Sequence, residues 1–382
     1  MFTKNIGYIF ISPVEDRMTG LASYTKSLLI ELSAQANETR DVKIHVLTNS
    51  KEIINFIKSD KNLNHSVLLN ECRKPKYIPY KIWCLWMHIS YNLSSPFFRR
   101  NLIISTTPWG SPIQVTPQII TIHDLYDLNP NYRPKRTILF SKLMYSALGK
   151  VGANFICVSE TTNEAVKNQL PFIEERKKTV ILEASKFTPA NISKEATVDQ
   201  YPNPYFLFVA NLQTNKNPTV IWDAMKVITA HSNWSIKWIG WDEQGLISKY
   251  EIERREKISD RFISLGRVSD KELSVLYSGA LALIVASLDE GFCLPIVEAH
   301  SHSCPVIASD IPILREVAGN GANFFDPNNS KELAGILQEF IENPQIRKNF
   351  SLQAKQNSAR FSWKNTAQQT LNYAGKVLAR AQ

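Results

Sequence analysis

Residues 287–298, Ser287-Leu-Asp-Glu-Gly-Phe-Cys-Leu-Pro-Ile-Val-Glu298, directly follow an apolar run that ends near Ala286. We predict a buried strand up to Ala286, a turn at Glu290 and Gly291, and a helix whose first position is Pro295. The unpaired amides at the start of that helix, with the positive end of its dipole, are expected to hold a phosphate or diphosphate. Such a strand, loop and helix start is typical of the ligand-binding edge of a parallel α/β sheet.

Two carboxylates and one glycine in this stretch are candidate ligand contacts. Glu298 could accept hydrogen bonds from ribose hydroxyls, and Glu290 could accept them from a transferred sugar. Gly291 has no Cβ, so the backbone there can approach a ligand closely. Taken singly, Glu290 could instead cap the loop and Glu298 could complement the helix dipole. Their spacing with Gly291 and Pro295 favours the ligand-binding interpretation.

Short apolar runs alternate with helical patterns on both sides of this stretch. A helix is predicted near Leu21 to Ala34. The runs predicted as strands are 6–11, 43–48, 101–105, 118–122 and 154–158 in the first half, and 205–210, 235–239, 262–265, 281–286 and 306–309 in the second. This alternation indicates βαβ units and parallel sheets. We therefore predict an α/β protein of two Rossmann-like domains that face each other across a cleft.

The domain boundary is predicted from length and from a break in the pattern. A chain of 382 residues exceeds what one hydrophobic core usually supports. Between Ala184 and Pro204 the periodicity fails, and several prolines interrupt a polar stretch. The predicted domains are 1–184 and 205–360, joined by a linker over 185–204.

Cysteine usage and hydropathy restrict the cellular context. The five cysteines are odd in number and include no C-x-x-C pair, which argues against a disulfide framework and a zinc site. A reducing cytoplasm fits this usage. The apolar run Ile6 to Ile11 leads into Glu15 and Asp16 where a signal peptide would have small residues. No run reaches the roughly 18 to 20 apolar residues that span a bilayer, so we expect no integral membrane segment.

The formal net charge of +9 indicates that the protein binds an anionic partner. The segment 72–100 holds six basic residues, no acidic residue and seven tyrosine, tryptophan and phenylalanine residues. This mixture suits peripheral contact with an anionic membrane, with Trp83 and Trp86 on one helix face as apolar anchors. The segment could equally be a core helix with solvated basic ends. No nucleic-acid motif accompanies the charge, so nucleic acid is not an expected partner.

Six motifs carry a resemblance to a known family. "EGFCLPIVEA" (290–299) contains two glutamates separated by seven residues, and "CPVIASDIPILREVAGNGANFFDP" (304–327) follows it. The other motifs are "VANLQTNKNP" (209–218), "LGRVSDKELSVLYSGA" (265–280), "TIHDL" (121–125) and "FSWKNTAQQTL" (361–371). Together, and in their order along the chain, they resemble the retaining family-four glycosyltransferases, also called glycosyltransferase group 1, of the GT-B fold.

The resemblance implies an activity. The chain is expected to transfer a sugar, with mannose as first candidate, from a nucleotide-diphosphate sugar to a glycan or lipid-linked acceptor, retaining the anomeric configuration. The setting would be cell-surface polysaccharide or lipopolysaccharide synthesis. GDP-mannose is the first candidate donor, with dTDP-rhamnose and UDP-hexoses as alternatives. A non-enzymatic nucleotide-sugar-binding protein and a nucleotide-sugar epimerase on the same fold are the alternative functions.

The resemblance also assigns roles to domains and residues. The first domain would bind the acceptor and the second the nucleotide sugar, while a helix over 361–382 would return to the first domain. Lys216 matches the family lysine that contacts donor phosphate, although Thr214, Asn215 and Ala210 depart from the usual pattern. The expected catalytic residues are His123, Glu290 and Lys216. The expected donor-binding residues are Gly20, Asn211, Lys216, Arg267, Val268, Glu290, Gly291, Phe292, Cys293, Leu294 and Glu298.

Three of these residues have simpler interpretations as well. His123 follows a predicted strand, where it could bond a sugar hydroxyl or assist proton movement, or be an ordinary core histidine. Gly20 follows the first strand and could belong to an ordinary βα turn. Arg267 could compensate for the missing basic residue before Lys216, contact the base or be a solvated loop residue.

No Asp-x-Asp motif occurs, so neither a metal nor another cofactor is expected.

Overall fold

The computed structural model describes residues 6–12, 19–39, 42–94, 101–187, 203–228 and 233–381. The chain forms two compact units: unit 1 comprises Met1–Glu183 and Ser362–Gln382, and unit 2 comprises Ala184–Phe361. Most of the predicted linker lies outside the described residues. In the part that is described, no helix is both long enough and apolar enough to cross a membrane.

Unit 1 contains a seven-stranded sheet in the order β3-β2-β1-β4-β5-β6-β7. All of its paired strands are parallel. The strands are β1 (Ile6–Ser12), β2 (Val42–Thr48), β3 (Val67–Glu71), β4 (Leu102–Ser105), β5 (Gln118–Ile122), β6 (Asn154–Cys157) and β7 (Lys178–Val180). Because strand order reverses between β1 and β4, ligands are expected at the carboxyl ends of the strands there.

The helices of unit 1 include the last helix of the chain. They are α1 (Thr19–Thr39), α2 (Lys51–Ser59), α3 (Lys61–Ser66), α4 (Tyr80–Ser94), α5 (Lys135–Lys150), α6 (Glu160–Gln169) and α14 (Trp363–Ala381). Trp363 packs edge-on against Tyr24 of α1 with ring centroids 5.5 Å apart. Thr366 donates a hydrogen bond to the carbonyl of Leu182 at 2.7 Å. Helix α14 is thus an integral part of unit 1.

Unit 2 contains a second parallel sheet, in the order β10-β9-β8-β11-β12-β13. Its strands are β8 (Tyr205–Val209), β9 (Ser235–Ile239), β10 (Phe262–Gly266), β11 (Leu283–Val285), β12 (Val306–Ser309) and β13 (Ala322–Phe325). Its helices are α7 (Pro218–Val227), α8 (Leu246–Arg254), α9 (Asp270–Gly279), α10 (Leu294–Ser301), α11 (Pro312–Ala318), α12 (Ser330–Glu342) and α13 (Pro344–Ser358). The predicted α/β class is therefore confirmed in both units.

Helix α4 corrects the predicted pairing of Trp83 and Trp86. Trp83 is 2% exposed and belongs to a core cluster with Leu47, Met87 and Ile103, whereas Trp86 is 62% exposed. Residues three apart on a helix are offset by about 60° around its axis, so the edge of a buried face can fall between them. Trp83 is a core residue, and Trp86 alone remains available as a surface anchor.

Candidate active site

The loop from β8 to α7 positions Lys216. Thr214–Lys216 form one 3₁₀ turn, and Asn217 after it has a left-handed backbone with φ of 50°. The Asn217 side chain donates to the carbonyl of Pro327 at 2.8 Å, which fixes this unusual conformation. Pro218 then begins α7 with a φ angle already suited to a helix. The lysine is therefore presented from a restrained loop at the carboxyl end of β8.

Lys216 and Glu290 form an ion pair at this sheet edge. The Lys216 Nζ lies 2.6 Å from Glu290 Oε1, and the Ser287 hydroxyl donates to the same oxygen at 2.7 Å. Strands β8 and β11 are neighbours, so the loops that follow them meet. The Leu288 amide also bonds the carbonyl of Asn215 at 2.7 Å. The structure thus brings together two of the three predicted catalytic residues, with Ser287 as a partner that sequence reasoning missed.

The loop after β9 supports the loop that carries Lys216. Asn211 accepts a hydrogen bond from the Trp241 amide at 3.2 Å, and the Thr214 amide donates to the Gln244 side chain at 3.1 Å. A Cβ on Gly240 would lie 2.1 Å from the carbonyl oxygen of Ala210. Only glycine permits this approach, and its φ of 147° is also one that other residues rarely adopt. Asn211 therefore has a loop-bracing contact in addition to its predicted role toward the donor.

The loop after β11 leads into α10 through a left-handed residue. Cys293 has φ of 76° and precedes Leu294, the first helical residue, so Pro295 occupies the second position rather than the predicted first. Proline has no amide hydrogen, and the Ile296 amide already donates to the carbonyl of Cys293 at 3.0 Å. Phe292 and Cys293 are buried. The start of α10 consequently offers an anion fewer amides than an ordinary helix terminus. An anion bound there would depend more on the charge of Lys216.

Glu298 lies on the buried side of α10. The Tyr277 hydroxyl donates to Glu298 Oε2 at 3.1 Å, and the Nζ of Lys186 lies 3.9 Å from Oε1. Burial raises the pKa of Glu298, and the nearby Lys186 and Tyr277 partly oppose that effect. Neither partner was predicted, because they lie far from Glu298 in sequence. The carboxylate is thus oriented by two groups from other elements.

His123 lies at the carboxyl end of β5 in unit 1. Its Nδ1 is 2.8 Å from Glu183 Oε1, and its Nε2 is 3.0 Å from the carbonyl oxygen of Thr106. Because a carbonyl only accepts, Nε2 carries a hydrogen and donates to Thr106. Burial lowers the pKa of His123, but the hydrogen bond and charge of Glu183, helped by Thr106 and Asp124, outweigh it and raise the pKa overall. No local pattern in the sequence indicates Glu183 as a partner, since it is 60 residues away.

The His123–Glu183 pair gives a testable pH dependence. The pKa of His123 is raised in the folded protein, so the His123–Glu183 pair stabilises the fold fully below the pKa of an unfolded histidine, near 6.5. This stabilisation is lost as the pH rises through the pKa of His123 in the folded protein. We expect Glu183→Gln to lower the pH at which His123 titrates, measured by NMR of the imidazole nitrogens. The exposed Glu174→Gln, on the same unit, is the matched control. An unchanged titration in Glu183→Gln would contradict the assignment.

The remaining predicted residues lie in separate places. Gly20 is exposed in the first turn of α1, in unit 1. Arg267 is exposed and Val268 half-buried after β10, which is separated from β8 by β9. Within the described ranges, no three His, Cys, Asp or Glu side chains come together in a way that could hold a metal ion.

Comparison with known proteins gives consistent matches. The family model "Glycosyl transferases group 1" matches residues 191–357. The chain is 24% identical over 384 residues to O-antigen chain mannosyltransferase B of Escherichia coli, covering 94% of this chain and 97% of the relative. It is 27% identical over 278 residues to O-antigen chain mannosyltransferase RfbU of Salmonella typhimurium, covering 72% and 74%.

Solved structures match nearly the full length of the chain. HepE of Anabaena, crystallised with UDP-glucose, superposes with a TM-score of 0.73 at 17% identity, covering 97% of this chain and 99% of HepE. A glycosyltransferase from Rickettsia africae superposes with a TM-score of 0.72 at 16% identity, covering 98% and 99%. At these identities, the likeness establishes the fold alone.

Proposed function

We propose that the chain is a retaining mannosyltransferase of the glycosyltransferase group 1 family, whose family model matches residues 191–357, on the GT-B fold. The donor would be a nucleotide-diphosphate mannose, with GDP-mannose as first choice. The acceptor would be a glycan or lipid-linked intermediate of a cell-surface polysaccharide. The names of the two O-antigen relatives support mannose and this setting.

The ion pair between Lys216 and Glu290 is the observation that carries the proposal. It places a fixed cation and a hydrogen-bond acceptor within 2.6 Å of each other at the carboxyl edge of the unit 2 sheet. A departing diphosphate needs fixed positive charge, and a transferred hexose needs an acceptor for its hydroxyls. In the proposed complex, Lys216 exchanges Glu290 for a phosphate oxygen, and Glu290 is then available to the sugar.

Several other predicted residues have a place in this scheme. Glu298, oriented by Tyr277, would accept hydrogen bonds from the ribose. His123 would bond a sugar hydroxyl, which requires it to exchange its bond to the Thr106 carbonyl. Gly291, Phe292, Cys293 and Leu294 would supply backbone contacts to the donor at the start of α10.

A nucleotide screen followed by a transfer assay tests the proposal. The nucleotide of the true donor should stabilise the fold by mass action, by about 2.7 kcal/mol at a free concentration 100 times its Kd. We expect GDP to give the largest thermal shift among GDP, UDP and dTDP. Transfer from GDP-mannose, with product NMR, should then show the donor's anomeric configuration. Stabilisation without transfer to any acceptor would support a binding protein, and conversion of the nucleotide sugar itself would support an epimerase.

We also propose that transfer needs no metal ion. This rests on the absence of an Asp-x-Asp motif in the sequence and on Lys216 as a cation for the diphosphate. Activity is therefore expected to remain within about twofold after EDTA treatment and dialysis, measured as GDP release. Loss of activity that manganese or magnesium restores would contradict this prediction.

A lipid-linked acceptor would place the enzyme on the cytoplasmic face of a membrane. The basic and aromatic segment 72–100 supports this location. Of that segment, Phe97, Phe98, Arg99 and Arg100 lie outside the described residues, and Trp83 is buried. We propose a cytoplasmic enzyme that binds the membrane peripherally.

A further inference from the structure

Helix α4 has an apolar face on both sides. Its inner face carries Trp83, Cys84 and Met87, which are buried. Its outer face carries Ile82, Trp86 and Leu93, which are 56%, 62% and 43% exposed. A helix that only covers a sheet normally has polar residues on its outer side. The outer apolar row on α4 is therefore unexplained by the core of unit 1.

Helix α5 adds a second outer row that the sequence did not single out. Its inner side buries Ser141, Tyr145 and Leu148. Its outer side exposes Leu139 and Leu143, at 60% and 61%. The exposed cations of the helix are Lys135, Arg136, Lys142 and Lys150. Exposed leucines flanked by cations are typical of helices that lie in a lipid interface.

The two helices are adjacent. The Nζ of Lys81 on α4 lies 5.8 Å from the ring centre of Phe140 on α5, and 6.0 Å from that of Trp109. Ile82 follows Lys81 in the sequence and Leu139 precedes Phe140, and both side chains are more than half exposed. The outer rows of α4 and α5 thus lie on either side of this contact, and we call them together the α4–α5 face.

The charge on this face has one sign. Neither α4 nor α5 contains an aspartate or glutamate. Asp127, a carboxylate near both helices, is engaged by Lys81 at 3.5 Å and by Arg133 at 2.8 Å. Exposed Arg73, Lys74 and Lys76 immediately precede α4. An apolar surface bordered by cations complements an anionic lipid surface.

A second copy of the chain fits this face less well. A symmetric dimer would place the same surface on both partners, and the cations of α5 would then face each other. Juxtaposed like charges oppose association. Headgroup phosphates would instead neutralise these cations, while Trp86, Leu139 and Leu143 would enter the acyl boundary.

We propose that the α4–α5 face is the membrane-docking surface of unit 1, and that α5 supplies four of its cations and two of its apolar anchors. This deepens the proposed function and rests on it for the acceptor. The predicted segment 72–100 then contributes only part of the binding surface.

Vesicle co-sedimentation tests the α4–α5 face with two variants. One replaces the anchors (Leu139→Ser with Leu143→Ser), and the other replaces the cations of α5 (Lys135→Gln, Arg136→Gln and Lys142→Gln). The wild type should sediment with vesicles of equimolar phosphatidylcholine and phosphatidylglycerol, and less at high salt. The charge variant should bind about 100-fold more weakly, since each cation near the surface contributes about fivefold. The anchor variant should lose binding comparably.

The control is Leu352→Ser, which changes a leucine that is 56% exposed on α13 of unit 2 and should bind like the wild type. Thermal unfolding would show that all variants remain folded. Failure of the wild type to bind, or wild-type binding by both variants, would overturn the proposal. A change in self-association, measured by sedimentation velocity, without a change in vesicle binding would assign the face to a second copy instead.

Mannose transfer to a detergent-dispersed acceptor separates this inference from the proposed function. Both variants should retain that activity, because neither changes the candidate active site. Vesicle binding by a wild type that transfers no sugar would leave the docking surface in place and refute only the mannosyltransferase. Mannose transfer by a wild type that does not bind vesicles would support the mannosyltransferase and refute the docking surface.

Discussion

Lys216→Ala is expected to weaken binding of the donor nucleotide diphosphate by about 100-fold, because it removes the fixed cation of the site and leaves the negative charge of Glu290 without its ion-pair partner. Isothermal titration of GDP against wild type and variant measures the change. Few helix amides accompany Lys216, since Pro295 has none and that of Ile296 is bonded to Cys293. We therefore expect little compensation from the start of α10.

Lys226→Ala is the matched control for this experiment. Lys226 is a lysine of unit 2 on α7, ion-paired with Glu256 rather than with a site residue. It should bind nucleotide like the wild type. Equal affinity in wild type and Lys216→Ala would show that the phosphates bind elsewhere.

Glu290→Gln is expected to lower kcat by about 100-fold or more, whereas Glu298→Gln should mainly raise KM for the donor, by about tenfold. A contact to the sugar can strengthen in the transition state, but a ribose contact remote from the reaction centre acts as uniform binding. Glutamine is used at 298 because it keeps an acceptor for the Tyr277 hydroxyl, which alanine would leave buried and unpaired. Steady-state kinetics gives both parameters.

Ser287→Ala provides a graded comparison. It removes the 2.7 Å hydrogen bond to Glu290 but leaves the carboxylate in place. It should lower kcat in the same direction as Glu290→Gln, by a smaller factor. The opposite pattern, with KM controlled by Glu290 and kcat by Glu298, would mean that the two roles are exchanged.

The interior strands were predictable from sequence because both of their faces are buried. In β5, all five residues from Gln118 to Ile122 are buried, and the apolar run matches the strand. The strands that were missed, β3, β7 and β13, are edge strands. β3 is only partly buried and ends in Asn70 and Glu71, and β7 has three residues. Such strands lack the continuous apolar run that marks a parallel interior strand.

Only part of the candidate site could be predicted from the sequence. Lys216 and Glu290 stand in local motifs, and Ser287, three residues before Glu290, was within reach of the same reasoning. Glu183 and Tyr277 were not, since only the fold brings them to His123 and Glu298. The two tryptophans of α4 show a further limit. Spacing places them near one another on a helix, but only packing decides which of them faces the core.

The membership of α14 in unit 1 has a consequence for biosynthesis. Unit 2 is complete once residue 361 has been made, but unit 1 lacks a helix until residue 381. Domains usually fold in the order in which the ribosome delivers them, at about 5 to 20 residues per second. Here the N-terminal part of unit 1 lacks α14 while unit 2 is being synthesised. During that time the surface around Tyr24 on which α14 packs is uncovered. The first half of the chain to be translated is thus the last to finish folding.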